Sequence, residues 1–132
     1  MTFELWVLLS SAGLGLVHIS AASLSFKRQV GNRYTVGPRD DGLQPRSVAG
    51  RLQRASANFL ETFPIFAVVV ILTHLTGSSG SMSWLGAALY LGGRILYLPL
   101  YAAGVVWFRT FAWNIATLGI VLVGVQCIVR AN

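Results

Sequence analysis

Four stretches of this chain run for roughly 20 residues with few or no charges, the length an α-helix needs to cross a bilayer. They are "LWVLLSSAGLGLVHISAASLSF" at about 5–26, a segment at about 52–75 that is polar at its start and ends in "IFAVVVILTHL", "MSWLGAALYLGGRILYLPLYAAGVVW" at about 82–107, and "FAWNIATLGIVLVGVQCIV" at about 111–129. With a basic connection at 27–51 they use up residues 1–132 as a single domain. Only 11% of the residues are charged and 55% are apolar. A soluble domain carries about 25% charged residues, so lipid has to replace water around most of this surface. The expected fold is all-α, an integral-membrane four-helix bundle with up-down topology.

The first run could also be a cleaved signal peptide. It lacks a positive leading region, since Glu4 is the only charge before it, and its apolar stretch is long for one. It reads as a retained span. The connection at 27–51 holds Lys27, Arg28, Arg33, Arg39 and Arg46 against Asp40 and Asp41. The connection after the second span, "THLTGSSGS", has no Lys or Arg, and the one after the third holds Arg109. The positive-inside rule then puts the first and third connections in the cytoplasm and both termini outside, with Arg130 as a minor dissent. Turn formers in "VGPRDDGLQP" suggest that the first connection is ordered at least in part.

Net charge is +6, but the bases crowd into one segment and no nucleic-acid module pattern appears, so nucleic acid is not an expected partner. The single cysteine, Cys127, allows no internal disulfide and sits in an apolar run as a small hydrophobe. His18 and His74 stand on different spans at opposite depths, so no metal site is expected. There is no serine nucleophile elbow and no phosphate-binding glycine loop.

The charges inside the spans are more informative. At about 100° per residue, Arg51, Arg54, Asn58 and Glu61 fall within an arc of about 80° on the second span. Arg94, Tyr97 and Tyr101 fall within about 60° on the third. With the orientation above, both stripes occupy the cytoplasmic half, and Arg109 lies at the same border. Glu61 and Arg94 are the deep members, which predicts an ion pair between them, because an unpaired charge in lipid costs several kcal/mol. Singly, the arginines read as interfacial anchors, Glu61 as interhelical glue, and the tyrosines as aromatic-belt residues. Together on matched faces at one depth, they read as a pocket. Arginine suits carboxylates through bidentate hydrogen bonds, and one glutamate suits an ammonium. A small zwitterion with more than one carboxylate fits that set.

"RLQRASANFLETFPIF" resembles the start of the second helix of the MAPEG family, membrane-associated proteins of eicosanoid and glutathione metabolism. Arg54, Asn58, Glu61 and Pro64 match the family's arginine, asparagine, glutamate and proline at the same spacing. "GRILYLPLY" resembles the third helix and "FRTFAW" the start of the fourth in bacterial members. The resemblance implies a homotrimer in a membrane, the bacterial inner membrane for a bacterial-type member, with glutathione between subunits near the cytoplasmic side as a co-substrate. It implies that Arg54, Asn58, Glu61, Arg94, Tyr97 and Tyr101 line the glutathione site, with Arg51 a weaker candidate, and that Arg109 lies near the sulfur as the catalytic residue. The chain departs from the family at Thr62, where several glutathione-using members carry an aromatic.

The expected function is a glutathione-dependent enzyme that conjugates or reduces lipophilic electrophiles or hydroperoxides. The alternative is a non-catalytic lipid-binding or scaffold protein on the same fold, a kind the family also contains. A transporter would need a polar path through the whole bilayer, and the outer half offers little beyond His74. Small residues including Gly13, Gly15, Gly92, Gly93, Gly119 and Gly124 read as points of close helix approach. Pro64 and Pro99 are expected to bend their helices.

Overall fold

The computed structural model describes residues 1–131. Its elements are α1 (Phe3–Val30), α2 (Asn32–Val36), α3 (Ser47–Leu75), α4 (Ser81–Ala103) and α5 (Val106–Ala131). No strand occurs among the described residues. Helix α1 packs mainly on α3, and α4 mainly on α5. Three contacts fix which ends lie together. Arg51 Nε near the start of α3 donates to Ala102 O at the end of α4, 2.9 Å away. Ser83 Oγ near the start of α4 donates to Glu4 Oε1 at the start of α1, 2.5 Å away. Gln126 Nε2 near the end of α5 donates to Ser78 O, just past α3, at 3.1 Å. The four long helices therefore alternate in direction.

Helices α1, α3 and α5 are each long and apolar enough to cross a membrane. Helix α4 is not among them, because Arg94, its tyrosines and its paired glycines dilute its apolar length. The helix ends also differ from the sequence expectation. Helix α3 begins at Ser47 and takes in the last residues of the basic connection. Helix α4 stops at Ala103, because Gly104 adopts a left-handed φ of 78° that only glycine takes readily. Helix α5 starts at Val106, so Arg109 belongs to its first turn rather than to a loop. Both α3 and α4 continue as helix through Pro64 and Pro99.

Helices α4 and α5 meet backbone to backbone. A Cβ on Gly86 would lie 2.6 Å from Gly119 O, and one on Gly93 would lie 2.7 Å from Ala112 O. A Cβ on Gly15 would lie 2.9 Å from the Phe59 ring, so this glycine admits the aromatic that joins α1 to α3. Gly13 and Gly92 face open space and Gly124 has only an ordinary contact, which corrects the expectation for those three. The glycines matter only where a helix crosses another at that level. Around these contacts Val7, Phe66, Val70, Ala87, Tyr90, Ala116 and Val123 form the main core. Phe66 stacks on Tyr90 with centroids 3.8 Å apart.

The buried face of α1 is unexpectedly polar. Glu4, Ser11 and His18 follow one another at seven-residue spacing, and all three are buried. His18 Nδ1 is 3.0 Å from Leu14 O, and its ring stacks on Phe59. The sequence reading counted Glu4 only as a flanking charge, yet Glu4 ties the first helix to the fourth element.

Candidate functional site

Arg94 backs the candidate site from within the bundle. It lies in the middle of α4 and is fully buried. Its Nη1 donates to Asn58 Oδ1 at 2.8 Å, and its Nη2 donates to Thr62 Oγ1. The guanidinium carbon also lies within 5.4–5.9 Å of the ring centroids of Tyr97, Tyr90 and Phe59. Each ring face within about 6 Å attracts a cation, more strongly where water is excluded. Two hydrogen bonds and three rings thus hold a cation where a carboxylate was expected.

The predicted Glu61–Arg94 ion pair does not form. Asn58 and Thr62 are one turn apart, and Arg94 sits between them. Glu61 points about 80° away round the helix from that midpoint. Glu61 is exposed, and so is Arg54. Asn58 is half-buried, and the stripe on α3 runs along the edge between the packed face and the open one. The matching of depths in the sequence was sound, but the angular offset of Glu61 decides its partner.

Nearer the end of the bundle, Tyr97 and Tyr101 meet edge to face with centroids 5.3 Å apart. The Arg109 guanidinium carbon lies 4.4 Å from the Tyr101 ring centroid. A cavity of about 250 Å³ opens here, lined by Asn58, Tyr97, Tyr101, Arg109, Thr110 and Trp113. Arg51 is engaged elsewhere, since its Nε caps the carbonyl end of α4 beside Gly104. Of the eight residues expected from the sequence, the structure brings together Asn58, Tyr97, Tyr101 and Arg109 around one cavity, with Arg94 bonded to its Asn58 wall. Arg51, Arg54 and Glu61 do not line it.

A model of the MAPEG family matches residues 4–129. The chain belongs to the MAPEG family. No curated protein and no solved structure matches it. As a MAPEG member with three membrane-capable helices, it is an integral membrane protein of a family tied to glutathione and eicosanoid metabolism.

Sequence reading missed three residues of this MAPEG chain's site. Thr62, noted as a departure from the family, is a direct partner of Arg94. Its one-turn spacing from Asn58 was the available signal. Thr110 and Trp113 follow Arg109 on the same face of α5 once that residue is seen to be helical. The Trp113 Nε1 and Arg94 Nε are buried without an acceptor among the described residues. The cavity wall itself offers the Arg109 guanidinium and two phenols and carries no carboxylate, which suits an anionic guest. No group of His, Cys, Asp and Glu that could hold a metal occurs among the described residues.

Proposed function

We propose that this MAPEG protein is a glutathione-dependent membrane enzyme, acting as a homotrimer of four-span subunits. The observation that carries the reading is the Arg109 guanidinium held over Tyr101 at the rim of a cavity walled by Asn58 and Tyr97. Arginine stays charged at any working pH. A cation beside a thiol lowers its pKa and enriches the thiolate, which is the nucleophile. The thiol proton passes to solvent. The sulfur then forms a bond to an electrophilic carbon, and the displaced group leaves with the electron pair of the broken bond. With a hydroperoxide, sulfur attacks the O–O bond, giving an alcohol and a sulfenic acid. A second glutathione then forms the disulfide and releases water. Exposed apolar side chains such as Phe108 and Phe111 beside Arg109 offer a lipophilic second substrate an approach from the bilayer.

Arg54 and Glu61 support the trimer. Glu61 lies about 20 Å along α3 from its start, on an exposed side of a membrane-capable helix. An exposed carboxylate there is costly in lipid. A neighboring subunit, with glutathione between the two, would cover it and give its charge an ammonium partner. The remaining expectation, cytoplasmic first and third connections, follows the charge bias of the connections.

The test separates binding from chemistry. Arg109→Ala is expected to bind glutathione within a few-fold of wild type and to lose conjugation of a chlorodinitrobenzene by about 100-fold, the size of one preorganized electrostatic contact. Unchanged turnover would remove Arg109 from the chemistry.

A further inference from the structure

We infer that the basic connection between α1 and α3 carries a phosphate site for an anionic glycerophospholipid, set in a cleft between Arg28 and Arg46. The inference rests on the membrane character of α1 and is independent of the glutathione reading.

The connection is folded rather than loose. Gln29 Nε2 donates to Gln44 O at 2.9 Å, and Gln29 Oε1 accepts from Arg46 N at 2.8 Å. Tyr34 Oη accepts from Leu43 N at 2.8 Å and donates to Arg39 O at 3.3 Å. Arg39 turns its own side chain back onto Thr35 O. These bonds bring Arg46, far along the connection, back to the end of α1. A cleft of about 480 Å³ results, lined by Ser25, Arg28, Gln29, Arg46, Ser47 and Val48. Arg28 and Arg46 are exposed, and neither has an ion-pair partner among the described residues. Asp41 lines the adjoining hollow with Arg46, not this cleft.

The position of the cleft selects the ligand. Arg28 lies where α1 leaves its apolar run. One turn and about three turns deeper on the same face are Leu24 and Val17, 55% and 52% exposed. Val48, 44% exposed, adds an apolar edge to the cleft itself. A phosphate between two guanidinium forks, with hydroxyls of Ser25 and Ser47 at hand, therefore sits directly above a track for acyl chains. A soluble phosphate would use the upper part alone. The apolar track favors the lipid, and basic residues at a membrane edge attract anionic lipids by a several-fold factor each.

The test is native mass spectrometry of the detergent-solubilized protein offered phosphatidylglycerol or phosphatidylcholine in equal amounts. Wild type is expected to retain phosphatidylglycerol at least roughly tenfold better. The paired change Arg28→Gln with Arg46→Gln should remove most of that preference. A charge-matched control, Lys27→Gln with Arg33→Gln, exposed residues outside the cleft, should keep it. Each variant's melting is measured alongside, and Arg28→Gln alone, expected to lose part of the preference, serves if the pair does not fold. Equal loss in the control would mean diffuse attraction and overturn the site. Equal retention of phosphatidylcholine would also overturn it. Displacement by glycerol phosphate at the lipid's own concentration would reassign the cleft to a soluble phosphate.

Discussion

At the scale of the residue, Arg94 shows how a charge survives inside a membrane bundle without a carboxylate. Its charge is spread over two hydrogen-bond acceptors and three ring faces. Removing one acceptor exposes the weakness of that arrangement. Thr62→Val keeps the shape but leaves Nη2 facing a methyl group. It is expected to cost about 1–3 kcal/mol, the penalty of an unmet buried donor, whereas Thr62→Ser should be close to neutral. Thermal unfolding in detergent would check both, and equal melting for Val and wild type would mean that Thr62 does not hold Arg94. At the other end, Glu4 accepts from the Ser83 hydroxyl in a buried setting. Ser83→Ala should lower stability by about 1–3 kcal/mol for the same reason, read as a drop in melting temperature.

Among the elements, the α4–α5 contact depends on two backbones touching at glycine. A methyl on Gly119 would strike the backbone of Tyr90, at 2.7 Å from its nitrogen. Gly119→Ala is therefore expected to destabilize by about 1–3 kcal/mol through overpacking. Gly92→Ala meets nothing within 4 Å of its Cβ and should be neutral or slightly stabilizing. Denaturant melts of the two variants test this, and equal effects would contradict the packing described. Apolar length predicted three of the four expected spans well, because lipid makes hydropathy the dominant signal there. It also suggested the fourth span, whose helix α4 exists but is diluted by the residues of the site. Helix ends were less legible, since a single left-handed glycine at 104 decides where α4 stops. The stripe residues Asn58, Arg94, Tyr97 and Tyr101 were legible because helical spacing fixes a face. The Glu61–Arg94 pair was not, because pairing depends on an angular offset that depth alone does not supply. The polar face of α1 at Glu4, Ser11 and His18 carried a visible seven-residue spacing, hidden by the apolar residues between.

On the scale of the whole molecule, a basic end with the cavity stands opposite an end held by Glu4, Ser83 and Gln126. The proposed orientation puts the basic end in the cytoplasm. In a Cys127→Ser background, Ser79→Cys should react with an impermeant maleimide in intact cells, and Arg33→Cys only after permeabilization. The reverse pattern would invert the topology. The most direct measurement is glutathione binding by titration calorimetry to the detergent-solubilized protein, wild type against Arg54→Ala. The proposed function predicts saturable binding to the wild type that the substitution weakens by tenfold or more, the loss of a charged hydrogen-bond pair. A folded wild type that binds no glutathione would contradict it and favor the lipid-binding alternative.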